Sequence, residues 1–332
     1  MAHIQTETEI AGVKFSLETG KLAKQAQGSA VARMGDTMVL VTACHGKENP
    51  DSDFFPLSVE YVEKAYAAGK IPGGFIKREG KPSEKEVLAA RIVDRPIRPL
   101  FPDGYNAEVQ IVCTVISADD MYSADILAVT AASCALSLSD MPFKEPIAGV
   151  RIGMIDGQFK VFPSLAETEN GELDMVVAGT ESSIMMVEGG ACELSEEQLL
   201  DALALAHSEI RKLIALQKEM LLKAGKQPVE YIEKQPDQTL VADVEAFLNA
   251  LEQLLIALDI PVPEAAIDSL AECSDLCVKV ADGLKRKDEP AAAMRLAETA
   301  LRLDASNSRA HLFLADLFAE QGDTARMLAR LE

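Results

Sequence analysis

The run Ala67-Ala68-Gly69-Lys70-Ile71-Pro72-Gly73-Gly74-Phe75-Ile76-Lys77-Arg78-Glu79-Gly80-Lys81-Pro82-Ser83-Glu84 holds four glycines and two prolines, with no periodic apolar pattern. It therefore reads as a loop. Its glycines fit neither GxGxxG nor GxxxxGK followed by Ser or Thr, so they are hinges rather than a phosphate cradle. Ser83-Glu84-Lys85-Glu86 then has capping-box form, in which a serine and a glutamate satisfy each other's backbone N–H groups. A helix is predicted from there toward Arg95, where Pro96 disfavours continuation. The next stretch, Ile92-Val93-Asp94-Arg95-Pro96-Ile97-Arg98-Pro99-Leu100-Phe101-Pro102, leaves that helix through three prolines. From Lys77 to Arg98 there are seven basic and four acidic residues, a local balance of +3.

Outward from this loop, strands and helices alternate. Ala30 to Met34 and Thr37 to Cys44 are β-rich runs joined by Gly35-Asp36, a two-residue hairpin connection. Phe54 to Val62 and Glu108 to Ser117 read as further strands. Asp125 to Leu138 is rich in alanine and other small residues, as suits a helix pressed against a sheet. Arg151 to Ile155 and Gln158 to Phe162 flank Asp156-Gly157, a hairpin signal, and Leu173 to Ala178 with Ile184 to Val187 form another candidate pair. Ser195-Glu196-Glu197-Gln198 is a second capping box. It opens a helix carrying Leu199, Leu203, Ala206, Ile210, Leu213 and Leu216 on one stripe and ending at Gly225. Residues 1–225 thus read as a mixed α/β (α+β) domain. Residues 226–238, polar and carrying Pro228 and Pro236, read as a linker. Residues 239–332 read as an all-helical domain. Its elements are Leu240 to Leu258, a break at Ile260-Pro261-Val262-Pro263, Glu264 to Lys287, and a pair, Pro290 to Leu303 and Ser308 to Gln321.

Composition narrows the function classes. A chain of 332 residues with 48% hydrophobic content suits two packed cores. No run approaches 18 uninterrupted apolar residues, which excludes a membrane span, and Met1 to Glu7 lacks a signal-peptide pattern, so a cytoplasmic protein is expected. Cys44, Cys113 and Cys134 lie in apolar stretches and read as small reduced core residues. The net charge of −21 argues against a duplex-coating protein, but the cationic window can still hold a polyanion where geometry focuses it. No metal site is predicted: His45, His207 and His311 are far apart, and Cys273 with Cys277 has no second pair.

The loop and the proline-rich stretch after it resemble the first core domain of bacterial polynucleotide phosphorylases. The resemblance runs from about Thr8 to Gly225 and takes in Asp53-Phe54-Phe55-Pro56-Leu57 and Val177-Ala178-Gly179-Thr180-Glu181. It implies a ribonuclease PH-like fold, assembled as a ring, a trimeric one, around a channel that admits single-stranded RNA. The reaction it implies is reversible phosphorolysis, in which phosphate attacks the 3′-terminal linkage and releases a nucleoside diphosphate, with magnesium as the metal.

Members of that family carry two such cores, with the chemistry in the second, and only one copy is recognisable in this sequence. The catalytic core has the pattern Asp-x-x-x-x-x-Asp-x-Lys before a Val-Ala-Gly stretch. Aligned on Val177-Ala178-Gly179, this sequence offers Thr168, Asp174 and Val176. The serine run that binds phosphate at a helix N-terminus is matched by Ser123-Ala124-Asp125, where Asp125 suits helix capping but repels phosphate. The resemblance therefore implies no catalytic residue and no bound cofactor in this chain. Asp174 alone reads as a structural hydrogen-bond acceptor.

The cationic window is what remains. In the family, Phe-Phe-Arg-Arg in this loop faces the channel as an RNA-binding constriction, and here the loop reads Phe75-Ile76-Lys77-Arg78. Phe75 offers a stacking face, and Lys77 and Arg78 neutralise phosphates without reading sequence. Ile76 and Lys77 should loosen the grip relative to a second aromatic and an arginine. Lys81, Arg91, Arg95 and Arg98 complete the candidate RNA-binding set. For the arginines, ion pairing with Glu84, Glu86 and Asp94 is the alternative.

Toward the C-terminus, Ala300-Leu301-Arg302-Leu303-Asp304, Arg309-Ala310-His311-Leu312 and Ala319-Glu320-Gln321-Gly322-Asp323 resemble the rhythm of tetratricopeptide repeats from about residue 290. They amount to little more than one repeat, where about three stacked units are needed for stability. The expected role is an RNA-guiding, ring-forming first core of 3′→5′ phosphorolytic RNA degradation. Its catalytic core would be supplied elsewhere, with the helical domain available to dock it or another degradation component. The alternatives are a protein-interaction adaptor built on that helical domain, and a nucleotidyltransferase with a rearranged site.

Overall fold

Gly35-Asp36 forms the predicted hairpin connection: β3 (Gly28–Met34) and β4 (Thr37–Glu48) pair antiparallel from Met34 opposite Thr37 outward. The computed structural model describes residues 2–48, 54–75, 77–119, 121–227, 229, 231, 246, 270–286, 290–304, 306–320 and 326. The chain divides into two units, Met1–Lys234 and Gln235–Glu332.

In the first unit, β3 and β4 belong to a six-stranded sheet with β1 (Ile4–Ile10), β2 (Val13–Thr19), β5 (Leu57–Glu63) and β6 (Ala107–Ser117), ordered β1-β2-β3-β4-β6-β5. Only β5 and β6 run parallel, and α1 (Glu84–Ile97) lies in the crossover that parallel neighbours require. The hairpin of β1 and β2 falls outside the predicted elements. Its turn, Ala11-Gly12, has φ of 50° and 78°, the paired positive values of a type I′ connection.

A second, antiparallel sheet follows the order β10-β9-β7-β8, with β7 (Ala148–Ile155), β8 (Gln158–Val161), β9 (Leu173–Gly179) and β10 (Ile184–Ala191). The helix α2 (Ala124–Leu138) packs on β3 and β4, while β7 and α4 (Glu196–Ala224) cover its other side, so nearly all of it is buried. The small residues there permit contact that larger ones would block. A Cβ on Gly28 would sit 1.9 Å from the Ala135 carbonyl oxygen. Polar groups in this core are matched. Ser133 Oγ donates to Gln217 Oε1 (2.9 Å) and accepts from Ile147 N (2.8 Å), and Gln217 Nε2 donates to Ile147 O (2.7 Å). Unmatched, each would cost about 1–3 kcal/mol.

Pro96 does not end α1. The helix continues through it to Ile97, and a 3-10 turn (Arg98–Leu100) follows. A proline in the last turn removes little hydrogen bonding, and the burial of Val93, Pro96 and Ile97 holds that turn against the core. Within the predicted linker, Tyr231 is fastened to the first unit. Its ring meets Tyr105 edge-on at 5.5 Å and its hydroxyl donates to Gly104 O (3.2 Å).

The second unit contains α5 (Leu270–Arg286), α6 (Pro290–Leu303) and α7 (Ser308–Glu320), packed through the fully buried Ala281, Ala293, Ala297, Ala300 and Ala310. Asn307 caps α7 by accepting from Arg309 N and Ala310 N, and its amide donates to Ser274 Oγ and Asp275 Oδ1. The predicted helix 240–258 and the break at 260–263 lie outside the described residues apart from position 246. Among the described residues, no helix is long and apolar enough to cross a membrane.

Candidate nucleic-acid interface

The basic loop leaves β5 through a 3-10 turn, Ala65–Ala68, closed by Gly69 at φ 66°, a left-handed conformation in which a Cβ would be strained. Its far end is pinned twice. Glu79 Oε1 accepts from Ala65 N (3.0 Å), and the capping box forms as predicted, with Glu86 Oε2 accepting from Ser83 N (2.6 Å) and Ser83 Oγ from Glu86 N (3.3 Å). Glu86 Oε1 also accepts from Glu63 N (2.8 Å), which ties the start of α1 to the end of β5. Partial burial opposes ionisation of Glu86, but the N–H groups of Ser83 and Glu63 outweigh it and hold its carboxyl below its ordinary value.

Between those pins the loop projects into solvent. Phe75 is fully exposed, and Lys77 has φ 54°, where the chain turns sharply before Arg78. Lys77, Arg78 and Lys81 are exposed and form no ion pair among the described residues. Arg91, exposed on α1, also forms none.

The last two arginines are engaged, though mostly not by the expected acids. Arg95 pairs with Glu188 on β10 (2.8 Å). Arg98 forks onto Asp94 (2.7 and 3.2 Å) and donates to the carbonyls of Phe55 and Leu57 (both 3.1 Å), so it fastens the entry to β5 onto the end of α1. Asp94 is thus the only one of the three expected acids that pairs with an arginine. Glu86 is consumed by the cap, and Glu84 forms no ion pair among the described residues. The charge available to a polyanion therefore lies in the loop and at Arg91 in the middle of α1.

The counterpart of a catalytic centre is closed in on itself. Thr168 lies in α3 (Leu165–Asn170), where its hydroxyl donates to Ser164 O (3.0 Å), and Val176 is buried. Asp174 on β9 sits 3.3 Å from Arg151 Nε on β7, and the same guanidinium reaches Asp125 Oδ2 at 3.5 Å. Asp125 Oδ1 meanwhile accepts from Ile126 N (2.7 Å) at the start of α2. Burial raises the Asp174 carboxyl above its ordinary value, the Arg151 cation works against that, and Asp125 adds to it. Two carboxylates thus share one guanidinium, so the cation nearest them is already engaged. Among the described residues no three His, Cys, Asp or Glu side chains gather as metal ligands.

Three participants carried no local sequence signal: Glu79 as the loop anchor, Glu188 as the partner of Arg95, and Arg151 between the two aspartates. Each acts beyond its sequence neighbours: Glu79 lies 14 residues from Ala65 and Glu188 lies 93 residues from Arg95.

Comparisons with known proteins agree with this fold. The chain matches the 3′ exoribonuclease family, domain 1 over residues 14–142 and domain 2 over residues 145–209. It is 51% identical over 242 residues to the polyribonucleotide nucleotidyltransferase of Heliobacterium modesticaldum, covering 73% of this chain and 34% of that protein. The same enzyme of Halalkalibacterium halodurans is 48% identical over 265 residues, covering 80% of this chain and 37% of that one. The chain thus spans about a third of the length of the curated relatives it matches. Among solved structures, rice (Oryza sativa) Rrp46 superimposes with a TM-score of 0.51 at 18% identity, covering 62% of this chain and 94% of that one, a likeness of fold.

Proposed function

The chain belongs to the 3′ exoribonuclease family, with a ribonuclease PH-like part of the first-core type found in polyribonucleotide nucleotidyltransferases; from that premise we propose that it guides single-stranded RNA for phosphorolysis without performing the reaction. The observation that carries this reading is the split between the two sites. The cations of the Phe75–Lys81 loop have no carboxylate partners among the described residues, whereas Asp174 is tied to Arg151. Members of the family bind RNA and form rings. In a ring, three copies of Lys77 and Arg78 make a neck of high positive potential, with Phe75 stacking on a passing base.

The family reaction uses phosphate and magnesium, and a catalytic core elsewhere would hold both. The residues Thr168, Asp174 and Val176 offer neither the acids for a metal nor a lysine, and Asp125 places a negative charge at the helix start where phosphate would bind. The α5–α7 helices are a candidate dock for that core or for another RNA-degradation component. A cytoplasmic location accords with this role.

The test is to mix the protein with a labelled single-stranded poly(A) oligomer, phosphate and magnesium, and to measure binding and diphosphate release together. Binding without release, weakened by Lys77→Ala with Arg78→Ala, is expected. Diphosphate release by the chain alone would show a working centre, and absence of RNA affinity would leave the helical domain as the functional part.

A further inference from the structure

At the far end of α1, about 20 Å along the helix from the basic loop, Phe54, Phe55, Arg98, Phe101, Tyr105 and Asn106 line an open cavity of about 390 Å³. Its wall is rigid. Phe101 stacks on Tyr105 at 5.6 Å with 14° between the planes, and Phe55 lies 4.6 Å from Phe101. The Arg98 guanidinium sits 5.9 Å from the centre of the Phe55 ring, so the arginine that fixes the Phe55 carbonyl also covers one ring face. Phe54, beside this wall, is 72% exposed.

The lining contains one anomaly. Asn106 is 8% exposed, yet its Oδ1 is buried without a hydrogen-bond partner among the described residues. A buried amide oxygen left unmatched is unfavourable by about 1–3 kcal/mol, and such groups in folded proteins call for an explanation. A ligand N–H in the cavity supplies one once the Asn106 side chain turns its oxygen toward it.

We propose that this cavity is an RNA subsite that takes one unstacked nucleobase carrying an exocyclic amine, the base lying on Phe54 and its amine donating to Asn106 Oδ1. An aromatic slab and an amide acceptor match the flat face and polar edge of a nucleobase. Arg91 lies on α1 between this cavity and the loop. The inference rests on the RNA-guiding reading above and extends it from phosphate neutralisation to base contact.

Fluorescence anisotropy with a labelled twelve-nucleotide poly(A) strand, and with an abasic strand of equal length, tests it on the full chain. Phe54→Ala, at an exposed position, should weaken poly(A) binding roughly fivefold to a hundredfold. It should leave abasic binding and the salt dependence unchanged, and Phe54→Trp should restore affinity. Adenosine monophosphate should compete, and purine riboside monophosphate, which lacks the amine, should compete about three- to tenfold less well. If Phe54→Ala binds poly(A) as the wild type does while Lys77→Ala with Arg78→Ala weakens it, the subsite is wrong and the guiding role stands. Phe54-dependent binding of the mononucleotide without RNA affinity would keep the subsite and overturn the guiding role. Unchanged nucleotide affinity with a smaller particle in sedimentation would make the cavity a protein interface and overturn the proposal.

Discussion

Removing Lys77 and Arg78 together should change how RNA binding depends on salt, by an amount set by which cations the fold leaves unpaired. Four candidate groups, Lys77, Arg78, Lys81 and Arg91, form no ion pair among the described residues, whereas Arg95 and Arg98 are held by Glu188 and Asp94. Each phosphate neutralised on a single strand contributes about −0.7 to the log–log salt slope, so the wild-type chain should show about −2.8 and Lys77→Ala with Arg78→Ala about −1.4. Between 50 and 200 mM salt, wild-type affinity should then fall about 50-fold and the double variant's about 7-fold. Anisotropy titrations of a poly(A) strand at five salt concentrations measure both slopes. Parallel lines, with affinity lowered but slope unchanged, would show that these side chains support the loop without touching phosphate. The reasoning would be equally refuted by a slope change of the same size in Arg95→Ala, whose cation already has a carboxylate.

Arg98→Ala removes the fork onto Asp94 and two bonds to the carbonyls of Phe55 and Leu57. It should lower stability by about 1–3 kcal/mol in urea unfolding while leaving the RNA salt slope unchanged. Asp119 is partly buried, which opposes its ionisation, but accepting from Met121 N, Tyr122 N, Asp36 N and the Thr37 hydroxyl holds its carboxyl below its ordinary 3.8. Because the folded value is the lower one, its contribution is complete above pH 3.8 and is lost as pH falls through the folded value. Asp119→Asn should therefore destabilise the protein by about 1–3 kcal/mol at pH 7, with the difference from wild type shrinking in acid, as thermal unfolding at stepped pH would record. Chelation of divalent cations should leave both poly(A) binding and the melting temperature unchanged, since Asp174 already faces a guanidinium.

Much of this fold is written in short-range signals. The capping boxes at Ser83 and Ser195, the Gly35-Asp36 and Asp156-Gly157 turns and the alanine-rich run before Leu138 all act within a few residues, and each produced the element it predicts. The β1–β2 hairpin escaped because Thr6, Thr8 and their glutamate neighbours mask the alternation; Ala11-Gly12 was the available signal. Pro96 misled because a proline rule knows nothing of the buried Ile97 that holds the last turn of α1. At the candidate site, the exposed basic loop was legible from composition alone. Of its arginines' partners only Asp94 was, because Glu188 comes from another sheet and the Phe55 carbonyl from a strand entry 43 residues away.

The two sites answer to one electrostatic logic. Along the cationic window, side chains become more committed toward the end of α1: the loop cations form no ion pair among the described residues, Arg95 holds one carboxylate, and Arg98 holds a carboxylate and two carbonyls. The charge left for a polyanion thus sits on the segment least constrained by the core, which suits a contact that must let a strand slide past without fixing its register. At the other site, Asp125, Arg151 and Asp174 sum to a net negative charge when ionised, and the helix start that might have held phosphate already bonds to Asp125. On the proposed reading, an RNA chain would be drawn to the loop and repelled from the start of α2. That separation is how a domain that retains the fold of a phosphorolytic enzyme can serve the reaction by holding its substrate.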